Sequence, residues 1–136
     1  MPDALDALLP HRPPMRWIEA LTACDAATAT ATACFREGDF PAAGGELLEI
    51  ALVECVAQTI AAAQASRERT RHGSAGPGSG MLVAVSNFEI HSPPPLGKSL
   101  HIETREIKRL GAMLLISGTV FCDDTILASG ELSVYA

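Results

Sequence analysis

Residues 46–63 form a run that is apolar on nearly every helical face, with one glutamate, Glu54, in its middle. The run reads Glu46-Leu-Leu-Glu-Ile-Ala-Leu-Val-Glu54-Cys-Val-Ala-Gln58-Thr-Ile-Ala-Ala-Ala. A helix that is apolar all round is a buried helix, so the remaining chain has to cover it. A carboxylate in that setting must be paired, hydrogen-bonded or kept protonated, because desolvation penalises its charged form. Such a group is costly to keep, and a protonated carboxyl is what general acid chemistry needs. Glu54 is therefore the first candidate functional residue. Glu46, Glu49, Glu54, Gln58 and Gln64 also interrupt the run too often for a membrane span.

With 136 residues the chain suits one domain, 1–136, around one core. Only 4% of residues are aromatic, so that core is expected to be aliphatic. The formal net charge of −6 argues against nucleic acid or an anionic membrane as the main partner. Asp3 and Asp6 stand where a secretory signal would carry basic residues, and the expected location is the cytoplasm. Cys24, Cys34, Cys55 and Cys122 form no CxxC pair and read as reduced, buried thiols. No metal site is expected, since the histidines and cysteines lack ligand spacing.

The order of elements points to an α+β protein. Residues 3–9 read as a helical turn stopped by Pro10, and residues 15–23 as a first strand. Residues 27–35 alternate with period two and place Thr28, Thr30 and Thr32 on one face, so the two strands are expected to pair as a hairpin around Asp25. The long helix carries Glu46 and Glu49 in its first turn, where the helix dipole favours them, and decays near Arg67, Arg69 and Arg71. Strands over 81–91, 98–109, 112–122 and 125–135 follow, joined by short turns that favour antiparallel neighbours. The expected architecture is a strongly bent antiparallel sheet packed on one long helix.

Three segments carry a family resemblance. Leu9-Pro-His-Arg-Pro-Pro-Met15 is similar to the opening motif of 3-hydroxyacyl-acyl-carrier-protein dehydratases. Glu54-Cys-Val-Ala-Gln58 resembles their helix motif, and Phe88-Glu-Ile-His-Ser-Pro-Pro-Pro-Leu-Gly97 their strand-to-turn segment. The early His-Arg-Pro-Pro-Met and the terminal Val134-Tyr135 resemble in particular the branch acting in aryl-polyene lipid pathways. The resemblance covers nearly the whole chain. It implies the hot-dog fold, a sheet wrapped round one helix, assembled as a dimer with active sites at the subunit interface. It departs at two places: the better known dehydratases have a catalytic histidine before a Phe-Pro pair, where here Asp39 precedes Phe40-Pro41, and a Pro-Gly at the start of the helix, where here Leu48-Glu49 stands.

The implied reaction is dehydration of a 3-hydroxyacyl thioester to a 2-enoyl thioester, with the substrate carried on the phosphopantetheine of acyl carrier protein and no other cofactor. Glu54 carries over as the acid for the departing hydroxyl and Gln58 as its neighbour one turn on, able to hydrogen-bond the carboxyl. His11 is the nearest substitute for the missing base. Glu49 and Arg12 complete the expected substrate-binding group. Asp39 reads as a turn residue, His91 and His101 as structural or surface groups, and the arginine run as a solvated helix end or a docking surface for an acidic carrier. Three alternatives stay open: a structural pair between Glu54 and Arg12 or Arg16, a hot-dog thioesterase, and a non-catalytic acyl-binding subunit that completes a dehydratase heterodimer.

Overall fold

The computed structural model describes residues 5–9, 15–36, 39, 50–72 and 81–135. A helical turn, α1 (Leu5–Leu8), precedes a hairpin of β1 (Ile18–Cys24) and β2 (Thr28–Ala33). The long helix α2 (Ile50–His72) follows, and after it β3 (Met81–Ile90), β4 (Leu100–Leu110), β5 (Met113–Cys122) and β6 (Thr125–Tyr135). All six strands join in one antiparallel sheet of order β1-β2-β4-β5-β6-β3. The expected single helix on an antiparallel sheet is what the chain forms. Among the described residues no helix is long and apolar enough to cross a membrane.

Side-chain alternation decides which face of the sheet meets the helix. In β2 the alanines Ala29, Ala31 and Ala33 are buried, while the threonines between them lie half-exposed on the other face. Leu100, Ile102 and Thr104 of β4 and Leu114, Ile116 and Val120 of β5 continue the buried face. Against it α2 presents Ala51, Leu52, Cys55, Val56, Ile60, Ala62 and Ala63, all buried. The helix packs across β1, β2, β4 and β5. It comes close at Gly118 on β5, where an added Cβ would collide with a Val56 methyl. The missing side chain lets the helix settle onto the sheet.

The turns follow from local chemistry. Asp25 closes the first hairpin: Oδ1 accepts the backbone N–H of Ala27 and Thr28 at 2.9 and 2.8 Å, and Oδ2 accepts the Thr28 hydroxyl at 2.8 Å. Those donors hold the Asp25 carboxyl down to about 2 against an ordinary 3.8. The two-residue connections β4–β5 and β5–β6 each start at positive φ, with Gly111 at 62° and Asp123 at 53°. In β3, Asn87 at φ 53° accompanies a register shift opposite β6. Asn tolerates this left-handed conformation better than most residues.

Several expectations shift at their edges. Residues 15–17 lie before β1, because the backbone groups of Met15 and Trp17 bond a helix side chain instead of a neighbouring strand. α2 runs on to His72. The expected first helical turn with Glu46 and Glu49 lies outside the described residues. All four cysteines are free, but Cys24 and Cys34 are half-buried, not buried. For Cys34 the reason is phase, since it continues the outward row of Thr28, Thr30 and Thr32.

Two measurements check this packing. Gly118→Ala is expected to lower stability in urea by roughly 1–3 kcal/mol through overpacking, with part of the loss restored by Val56→Ala in the same chain. Asp25→Ala is expected to lower the melting temperature at neutral pH. Because the native carboxyl is depressed, its contribution is complete above the ordinary value of 3.8 and fades as pH falls through about 2, so parent and variant should converge in acid.

Candidate active site

The site is built where α2 passes the chain entering β1. Gln58 is fully buried and bonds four groups. Its Oε1 accepts the backbone N–H of Trp17 at 2.8 Å and of Ile18 at 3.3 Å. Its Nε2 donates to the carbonyl of Met15 at 2.9 Å and to Oε2 of Glu54 at 3.0 Å. Two acceptor sites and two donors are the whole capacity of an amide. The partners also fix which way it faces, because a flipped amide would aim N–H groups at two backbone N–H donors. The ring of Trp17 packs edge-on against Phe35 at a centroid separation of 6.1 Å, which anchors the same segment from its side-chain end.

Glu54 and Gln58 are four residues apart on one helical face, so their side chains meet directly. Glu54 is half-buried in this chain, not enclosed as the apolar run implies. Burial, reinforced by the adjacent Glu54 carboxylate, pushes the Cys55 thiol up, so Cys55 is a buried apolar filler rather than a nucleophile.

Of the residues singled out from sequence, the structure brings Glu54 and Gln58 together. His11, Arg12 and Glu49 lie outside the described residues. Met15, the end of the His-Arg-Pro-Pro-Met motif, is tied by its carbonyl to Gln58. Asp39 is an exposed turn residue whose Oδ2 accepts the Arg36 N–H at 2.8 Å, as its sequence setting implies. His91 is exposed with Nε2 3.0 Å from the Ser129 hydroxyl, and His101 is exposed on β4. Arg67 differs from a solvated helix end. It is half-buried, and its guanidinium donates from Nε to the Asp25 carbonyl at 2.7 Å and from Nη2 to the Thr28 carbonyl at 3.2 Å. The partners that hold Gln58 and Arg67 are main-chain atoms, which no residue pattern announces.

Removing the Gln58 amide strands buried backbone groups on the segment before β1. Gln58→Leu is therefore expected to destabilise the fold by roughly 2–4 kcal/mol in denaturant titration. Glu54→Gln keeps an acceptor for Nε2 and should stay within about 1 kcal/mol of the parent.

A search of curated proteins finds no significant match. Among solved structures, the dehydratase heterocomplex ApeI:P from Xenorhabdus doucetiae is similar with a TM-score of 0.84 at 22% identity, covering 96% of this chain and 89% of that one. Thioesterase superfamily member 2 from Mus musculus is similar at 15% identity and a TM-score of 0.65, covering 85% of this chain and 80% of that chain. The protein smu.793 from Streptococcus mutans UA159, solved with acetyl CoA, is similar at 13% identity and a TM-score of 0.67, over 92% of this chain and 94% of that one. These likenesses establish the hot-dog fold. The model of the ApeP-like family, described as ApeP dehydratase, matches residues 3–136. The chain belongs to the ApeP-like dehydratase family.

Proposed function

We propose that the chain dehydrates 3-hydroxyacyl thioesters presented by acyl carrier protein, with Glu54 as the general acid. The observation that carries the reading is the Gln58 amide, which is held by three backbone groups and in turn holds Oε2 of Glu54. A proton donor must be fixed relative to the oxygen it serves, and a fully bonded amide supplies that fixity. In the reaction a base removes the proton on C2. The C3–O bond breaks as the Glu54 carboxyl gives its proton to the hydroxyl, and water and a 2-enoyl thioester result. No dissociable cofactor takes part.

His11 is the proposed base. It lies four positions before Met15, whose carbonyl is bonded to Gln58, and four steps of chain span at most about 14 Å. Arg12, adjacent in sequence, and Glu49, five residues before Glu54, are the proposed substrate-binding neighbours. Backbone N–H groups at the start of the helix would polarise the thioester carbonyl.

A second reading, that the chain completes a dehydratase as one unlike subunit, draws support from two observations. Asp39 stands where the resembling enzymes carry histidine. The sheet of described strands ends at β3, and Val85 on β3 and Tyr135 on the adjacent β6 are exposed. A second subunit, identical or related, is the proposed cover for that end of the sheet.

Purified chain, alone and with a related dehydratase subunit, should be incubated with a 3-hydroxyacyl carrier thioester and the acyl products resolved by mass. Loss of water by the chain alone supports the first reading, and loss of water only in the mixture supports the second. A free acid would point to hydrolysis instead. Glu54→Gln and His11→Ala are each expected to lower turnover by about 10²–10⁴-fold. Full activity in Glu54→Gln would end the proposal that this carboxyl is the acid.

A further inference from the structure

A cleft of about 390 Å³ opens beside the C-terminal half of α2. The β1–β2 turn contributes Cys24 and Ala26, the helix Gln64 and Arg67, and the far end of β4 Glu106 and Arg109. Gln64 lies ten residues beyond Glu54, about 15 Å along the helix, so the cleft is separate from the candidate active site. It also borders β1, the sheet edge opposite β3.

One observation makes this cleft more than a surface hollow. Gln64 is only 9% exposed, and its Nε2 is buried with no hydrogen-bond partner. An unpaired buried amide donor carries its full desolvation penalty, and such groups are rare in folded proteins. Two of the charged groups around it have partners. The Asp25 carboxylate accepts three bonds from its own turn. Arg67 is bonded to the carbonyls of Asp25 and Thr28. Arg109 meets Glu106 through Nε alone, at 3.6 Å, and its side chain is 45% exposed. Beside the Asp25 and Glu106 carboxylates the cleft holds donors to spare: the amide of Gln64 and the terminal nitrogens of Arg109.

We propose that this cleft binds a small organic carboxylate. One carboxylate oxygen accepts from Gln64 Nε2 and the other from the Arg109 guanidinium, whose planar fork suits a carboxylate. The hydrocarbon body lies against Ala26 and the half-buried Cys24, whose thiol points toward the Ala63 carbonyl at 3.8 Å. The volume falls within the range of small-molecule clefts and is over ten times the roughly 30 Å³ share of one water.

The test uses the full chain labelled with ¹⁵N and titrated with millimolar butyrate, with butyramide as the neutral counterpart. Butyrate is expected to shift the side-chain signals of Gln64 and Arg109 and to leave the backbone signals of Glu54 and Gln58 in place. Gln64→Leu and Arg109→Gln should each weaken binding at least tenfold. Gln64→Leu should melt no lower than the parent, since it exchanges an unpaired amide for an apolar group of similar size. Arg109→Gln alters an exposed side chain and keeps the test decisive if the first variant does not fold. Absence of any shift, equal shifts with butyramide, movement of Glu54 and Gln58 instead, or undiminished binding in Arg109→Gln would each overturn the proposal.

Discussion

The amide of Gln58 joins two parts of the chain that sequence separation keeps apart. It ties the segment before β1, the long helix and the Glu54 carboxyl into one hydrogen-bonded unit. The amide itself is fully buried, so leaving any of its bonds unmade would carry a desolvation penalty. The amide also sets the phase of the helix relative to the first strand, because only one rotation of α2 brings position 58 under residues 15–18. The placement of the Glu54 carboxyl inherits that rotation.

Much of this fold is legible in the residues. The alternation of alanine and threonine in β2 fixes which face meets the helix, and the observed burial follows it residue by residue. The turns at Gly111 and Asp123 fall where glycine and aspartate accept positive φ. The pairing of Glu54 with Gln58 is readable from spacing alone, since four residues make one helical turn. Other features are hidden in principle. An apolar run implies burial all round, but the degree of enclosure at Glu54 depends on which neighbour covers that face, and Glu54 emerges half-buried. Arginines at alternating positions give no sign of which one folds back, and Arg67 does so because two hairpin carbonyls lie within its reach. The cysteines show the same limit: Cys34 follows the strand phase outward despite its apolar character.

Two glutamines six residues apart on α2 make an instructive contrast. Gln58 uses every donor and acceptor it has, while Gln64 keeps a buried nitrogen with none. Both are side chains that an apolar helix would be more stable without unless they bond. The first is accounted for inside the protein, and the second draws attention to the cleft at the opposite end of the helix. Burial alone does not separate them. Their hydrogen bonds do.

Gln58 and Arg67, about 13 Å apart along the helix, both grip the first hairpin region through peptide atoms rather than through side chains. Peptide carbonyls are common to every residue type, and peptide N–H groups to all but proline. The grip at positions 15, 17, 18, 25 and 28 therefore does not itself read the side chains there. A scaffold fastened in this way lets its surface drift far in composition while its geometry holds, which accords with a TM-score of 0.84 at 22% identity.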